Sequence, residues 1–227
     1  MNKIWICILL LLMVCNGFAQ QKSNGLDTLL GILKKDISDI ERVNTYTKIM
    51  EVYRKKSDST QVAKYANKSI DLSRRIKYPR GIAEAYYNIG NILSIKGYQS
   101  KAIQIHQKAF AIADKAHYME GQAKIYRGLG NAAWRSSKYQ KALEYYSNSL
   151  KIEQKTDNLG GLGSCYHGLG LVSYSKGDYI QALTYYKKAL AVYQKTNNQL
   201  GVSQIYNNLG NIYQRQSDYP KAIDIYL

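Results

Sequence analysis

A forty-residue block recurs along this chain without insertion or deletion. Copies open at Gly81, Gly121, Gly161 and Gly201, and a diverged copy opens at Glu41. A fixed period of this size specifies a stack of similar supersecondary units, each leaning on its neighbours, and excludes a globule built round one central core. One unit cannot bury its own apolar face, so the units must pile up and present an extended surface.

The block from Gly161 to Leu200 shows what one unit is made of. Tyr166, Leu169 and Gly170 fall at i, i+3 and i+4, one face of a helix. Lys176-Gly177-Asp178-Tyr179 interrupts that pattern as a turn. Ala182, Tyr185, Tyr186, Ala189, Leu190 and Val192 make a second apolar stripe, and Thr196-Asn197-Asn198 is a polar stop. The expectation is a helix, a short turn, a longer helix and a loop. Across the copies the first helix carries Tyr46, Tyr86, Tyr126, Tyr166 and Tyr206, and then Ile49, Ile89, Leu129, Leu169 and Leu209. The next position is Gly90, Gly130, Gly170 and Gly210, with Met50 in the diverged copy. Glycine inside a helix costs about 1 kcal/mol against alanine, so four in register point to close approach of the partner helix. The second helix opens with Ala102, Ala142, Ala182 and Ala222, small residues suited to a helix crossing.

These columns resemble the tetratricopeptide repeat. Tyr206, Leu209-Gly210, Tyr213, Ala222 and Tyr226 follow that family's order of a large residue, Leu-Gly, Tyr, Ala and an aromatic, and the likeness spans residues 41–227. The forty-residue length, the missing proline at the unit's end, and Ala133 and Ser173 in place of tyrosine are departures. The longer unit is similar to that of kinesin light chains, of Leu-Gly-Asn adaptors and of exported bacterial repeat regions. The resemblance implies an all-α, right-handed superhelical solenoid of antiparallel helix pairs. Units are expected at 41–80 (degenerate), 81–120, 121–160, 161–200 and 201–227 (truncated). Residues 20–40 supply a lead and capping helix, marked by Leu26, Leu29, Leu30, Ile32 and Leu33.

The resemblance also implies that the first helix of each unit lines a concave groove that binds a peptide or protein. Groove positions then hold Tyr87, Arg127, His167 and Asn207; Asn88 and Asn208; and Asn91, Asn131 and Asn211. A carboxamide both donates and accepts, so it pairs with a peptide group of any sequence. Trp134 and Tyr174 follow the two missing tyrosines, and either turn into the groove beside Gly128 and Gly168 or tilt back into the core. Lys124, Arg127, Arg135 and Arg215 lie on the groove side against Glu84, which favours an acidic segment or a free carboxylate as ligand.

The first nineteen residues pose a separate problem. Lys3, the apolar run Ile4–Val14 and Gly17-Phe18-Ala19 form a secretory leader with cleavage after Ala19. The run is too short for a membrane-spanning helix, which needs about 20 apolar residues. The expected location is therefore the bacterial periplasm or cell envelope. Losing Lys3 from 32 basic residues against 16 acidic ones leaves a mature net charge of +15. That excess is a statement about non-specific attraction; export and the lack of any recognisable module argue against nucleic acid as a direct partner.

Cys165 alone survives cleavage of the leader, at a position filled elsewhere by Ala85, Ile125 and Ile205, and is expected to be a small buried hydrophobe. His106 stands where Tyr146 and Tyr186 stand and is expected in the core. The histidines have no metal-ligand spacing, no carboxylate pair suggests acid–base chemistry, and Gly-Leu-Gly at 128–130 and 168–170 lacks the strand and lysine of a phosphate loop. Neither enzyme activity nor a cofactor is expected. The last copy stops inside its second helix, which suggests a piece of a longer protein and a C-terminal face able to self-associate. The expected function is an exported protein-binding scaffold; the alternative is the sensory input region of a larger signalling protein such as a histidine kinase or transcriptional regulator.

Overall fold

The computed structural model describes residues 25–226; the leader expected within residues 1–19, and Leu227, lie outside them. Among the described residues every element is an α-helix: α1 (25–32), α2 (Asp39–Lys55), α3 (Ser59–Arg75), α4 (Pro79–Ile95), α5 (Gln99–Lys115), α6 (Met119–Arg135), α7 (Tyr139–Lys155), α8 (Leu159–Ser175), α9 (Tyr179–Lys195), α10 (Gln199–Arg215) and α11 (Tyr219–Tyr226). The second helix of a unit is not the longer one. Helices α2 to α10 all have 17 residues. The sequence pattern understated the first helix because its glycines dilute the apolar stripe.

One connection, repeated every twenty residues, makes the helices equal. Its middle residue takes a left-handed conformation: Gly97 and Gly177, but also Ser57, Lys77, His117, Ser137, Asp157, Asn197 and Ser217, with φ between 49° and 60°. The following residue donates its backbone N–H back to the carbonyl five residues earlier, as in Asp58 to Tyr53, Lys138 to Ala133 and Asn198 to Tyr193, at 2.9–3.0 Å. This is a Schellman closure, and it satisfies carbonyls that a helix end leaves open. That same residue then caps the next helix. The side chains of Asp58, Asn158, Asp178, Asn198 and Asp218 accept from the backbone N–H three residues on. Before α4, α5 and α6 the cap position is a tyrosine and makes no such bond.

The glycine columns have a cause different from close backbone approach. A Cβ on Gly90 would come within 2.6 Å of the His106 ring, and one on Gly128 would meet the same ring at 2.6 Å. Tyr146 is flanked likewise by Gly130 and Gly168, and Gly170 gives way to Tyr186. The rings of His106 and Tyr146 therefore each seat in a slot left by glycines of their own unit and of the next, whereas Tyr186 has Gly170 on its own side and Asn208 at the next unit's position. In the first unit the sizes are inverted. Ala66 stands at the ring position while Met50 and Asn88 stand at the glycine positions, all wholly buried. Volume is thus conserved along the stack, as close packing demands.

First helices also touch one another, α2 with α4, α4 with α6 and α6 with α8, whereas second helices of adjacent units make no comparable contact. The first helices therefore form the inner, concave side. Helix α1 lays Leu26, Leu29 and Leu30 on the interior formed by Ile49, Met50, Tyr65, Ala66, Ile70 and Ala85. The recurring first-helix tyrosines are half-buried at 46, 86, 126 and 166, with Tyr126 packed 4.6 Å from Phe110, while Tyr206 is 36% exposed.

A candidate ligand-binding groove

The concave face is built from residues that recur at the same turns of α2, α4, α6, α8 and α10, because helical positions three or four apart share a face. Three cavities lie along it. The first, 370 Å³, is bounded by Asn44, Thr47, Lys48 and Glu51 of α2, Arg80 and Glu84 of α4, and Tyr118 and Lys124. The second, 340 Å³, is central and is lined by Tyr87, Arg127, Asn131, Ser164, His167, Leu171 and Gln204, with Tyr146 and Tyr193 contributed by second helices. The third, 460 Å³, lies between Tyr174, Asn211, Gln214, Arg215 and Tyr219.

The cations on this face are largely spoken for. Lys124 Nζ donates to Glu84 Oε1 at 2.9 Å, and Tyr118 Oη donates to the same oxygen at 2.7 Å. Burial works against the Lys124 ammonium, but the Glu84 carboxylate outweighs it and holds the pKa above the ordinary lysine value. Arg80 stacks on Tyr118 with its guanidinium 5.1 Å from the ring centre. Arg127 Nη1 donates to Glu153 Oε1 and lies 3.4 Å from Ser149 Oγ. Glu153 is 1% exposed, in space opened by Gly161. Of the four rim cations expected to attract an acidic ligand, Lys124 and Arg127 are therefore neutralised internally. Arg135 and Arg215 remain exposed, the first over the Trp134 ring at 5.7 Å and the second beside Tyr174 at the third cavity.

The amides divide between site and core. Asn131 is exposed, and Tyr146 Oη donates to its Oδ1 at 2.6 Å, which leaves the NH₂ as its free end. Asn208 Nδ2 lies 2.9 Å from His167 Nε2, linking α8 to α10. Burial lowers the His167 pKa to about 4, so the ring is neutral at pH 7. Asn207 and Asn211 are exposed. Asn88 and Asn91 correct the expectation: Asn88 is wholly buried and donates to the Glu84 carbonyl at 3.0 Å, and Asn91 is 8% exposed. Both belong to the packing of the second unit, whose neighbours Ala66 and His106 are smaller than the tyrosines found later.

Trp134 and Tyr174 take an intermediate course. Both pack partly against core clusters. The Trp134 indole N–H donates to Ser175 Oγ at 2.8 Å, and the Tyr174 ring lies 5.6 Å from Tyr179 while lining the third cavity. Cavity residues that the sequence reading passed over include Ser164 and Gln204. They occupy the same helical position as Glu84 and Lys124, a position read only where it was charged. Cys165 is wholly buried, donates to Ser149 Oγ at 3.2 Å, and has its thiol pKa raised by burial, the opposite of what a nucleophile needs. Among the described residues no cluster of three metal-ligating side chains occurs, and no helix is long and apolar enough to cross a membrane.

Comparison with known proteins places this geometry. Sequence models of the family described as "Tetratricopeptide repeat" match residues 83–115, 121–195 and 166–227. No curated protein sequence matches significantly. Among solved structures, a Rap protein complexed with Competence and Sporulation Factor superposes with TM-score 0.74 at 14% identity, over 94% of this chain and 70% of that one. BtubC (BKLC) from P. vanneervenii gives 0.66 at 20% identity, over 91% and 85%. A putative kinesin light chain from Podosopora anserina with nearly identical TPR-like repeats gives 0.59 at 14%, over 82% and 92%. At these identities the likeness is one of fold.

Proposed function

Because the chain belongs to the tetratricopeptide-repeat family, we propose that it is a protein-binding scaffold that captures a peptide segment of its partner on the concave face. The observation that carries this reading is the string of three polar cavities along the first helices. The Gln204, Asn211 and Gln214 amides can each donate and accept, and Asn131 offers its NH₂ as a donor, which suits the alternating N–H and C=O of an extended peptide. The fold is shared with a Rap protein solved in complex with Competence and Sporulation Factor, which supports the same use of the surface here. An acidic residue of the ligand fits beside Arg135 and Arg215 rather than beside Lys124 or Arg127, which are paired within the protein.

The scaffold acts outside the cytoplasm, delivered by the leader that ends at Ala19. N-terminal sequencing of protein recovered from the cell envelope should begin at Gln20; an intact Met1 terminus on cytoplasmic protein rejects export. The binding reading is tested by selecting peptides from a random phage library on the full chain and measuring the winners by calorimetry. Asn131→Ala combined with Asn211→Ala should weaken them at least tenfold, about 1.4 kcal/mol, with the far-UV circular dichroism unchanged. Equal affinity in the double variant removes the groove from the account.

A further inference from the structure

The central cavity presents a combination that a positively charged groove would not. Among the residues that line it only Arg127 is charged, and the buried Glu153 carboxylate lies in contact with that guanidinium. Arg127 spends Nη1 on Glu153 and Ser149, so among the described residues its other nitrogens meet no protein acceptor. The Asn131 NH₂ is a second donor, because Tyr146 occupies the amide oxygen. His167 is a third. Its Nε2 accepts from the Asn208 amide, which leaves the proton of the neutral ring on Nδ1. An acceptor is present as well: the Ser164 hydroxyl donates to the Gly160 carbonyl at 2.9 Å and interacts with the Tyr193 hydroxyl, which leaves its oxygen one lone pair to offer, and the Gln204 amide oxygen is a second acceptor.

We infer that Glu153 determines the specificity of the groove: by neutralising Arg127 it sets the central cavity to take the side-chain carboxamide of a glutamine or asparagine in the bound peptide and to refuse a carboxylate. The inference rests on the groove reading above and names the ligand chemistry at its centre. A carboxamide oxygen, with two lone pairs, can accept from two of these three nitrogen donors at once, and its NH₂ can donate to Ser164 or Gln204. A carboxylate would have to share one guanidinium with Glu153, whose second oxygen is already buried without a partner. The site would then hold one uncompensated negative charge away from bulk water, which is unfavourable.

The test is a titration of the ¹⁵N-labelled full chain with N-acetylglutamine methylamide and, separately, N-acetylglutamate methylamide at pH 7. The glutamine probe should shift the Asn131 side-chain amide and the His167 ring and bind at least tenfold tighter than the glutamate probe. In Glu153→Gln, which keeps a hydrogen-bonding partner for Arg127 but frees its charge, that ratio should collapse or invert. If Glu153→Gln does not fold, Arg127→Gln with Glu153→Gln removes both charges and should keep the preference for glutamine. Equal or tighter binding of glutamate by the unmodified chain overturns the inference, as does a ratio unmoved in Glu153→Gln or a preference lost in the double variant. Shifts elsewhere on the groove but not at Asn131 or His167 overturn it too, while leaving the groove reading to the Asn131 and Asn211 experiment.

Discussion

Replacing His106 with tyrosine should make the array more stable. The His106 ring is wholly buried, and neither of its nitrogens has a hydrogen-bond partner. It occupies the slot between Gly90 and Gly128 that Tyr146 occupies between Gly130 and Gly168 forty residues later. There the tyrosine hydroxyl reaches Asn131; the counterpart of Asn131 in the second unit is Asn91, whose Nδ2 is buried and unpartnered. His106→Tyr therefore removes orphaned imidazole nitrogens, each costing about 1–3 kcal/mol, and gains a hydrogen bond worth about 1 kcal/mol. A tyrosine overfilling the slot would take back part of this, about 1 kcal/mol or more, which leaves a net gain of about 2 kcal/mol. For a chain of this size that is a rise of roughly 4–8 °C in Tm, to be read by urea and thermal unfolding followed by circular dichroism at pH 7. Adding Asn91→Ala should cancel the hydrogen-bond part alone. A lowered Tm for His106→Tyr, or a gain indifferent to Asn91, would refute the claim that the two slots are equivalent.

The neighbouring glycines of α8 should respond in opposite senses. Gly160→Ala meets nothing closer than 3.7 Å and should gain up to about 1 kcal/mol of helix propensity, whereas Gly161→Ala runs into the Glu153 carboxylate and should lose about 1–3 kcal/mol; equal signs in unfolding experiments would contradict the slot argument. Burial lowers His106 and His167 from 6.5 to about 4, so each contributes stability that is complete above pH 6.5 and drains away as pH falls toward 4, on the order of 3 kcal/mol apiece. Unfolding free energy should already decline between pH 6.5 and 5, above the ordinary carboxylate range, and decline less in His106→Tyr; a flat profile there would be incompatible with buried neutral rings. Ser137→Gly should relieve a left-handed serine and raise stability by about 0.5–1 kcal/mol, while Gly97→Ala, at φ 88°, should cost about 1 kcal/mol.

The period made the architecture readable because every unit repeats the same twenty-residue beat of helix and closure. It could not show what fills each slot. The partner of a glycine lies on the second helix of its own unit or of the preceding one, 16 or 22 residues away for Gly90 and Gly128 against His106, and a column of identical letters does not say which. The charges failed for the same reason. Arg127 pairs with Glu153 at a separation of 26 residues and Lys124 with Glu84 at 40. A groove surveyed one helix at a time counts those cations as unpaired. Glu153 was invisible as a site residue because its counterparts are Ser73, Ala113 and Tyr193, three residues with no common chemistry.

Core packing and ligand chemistry are consequently not separable in this fold. Tyr146 is a core residue by burial, yet its hydroxyl decides which end of Asn131 is offered to a ligand. One unit apart, Asn91 and Asn131 are the same residue at the same helical position; one is buried and the other lines the central cavity. What separates them is the residue fifteen positions on, histidine in one case and tyrosine in the other. A ring long enough to cross the glycine slot delivers a hydroxyl to the concave side and presents the amide; a shorter ring stops short of it. The groove's recognition pattern is therefore written partly on the second helices, which reach its wall through side chains such as Tyr146 and Tyr193, and a change of groove specificity can arise there without any substitution on the first helices.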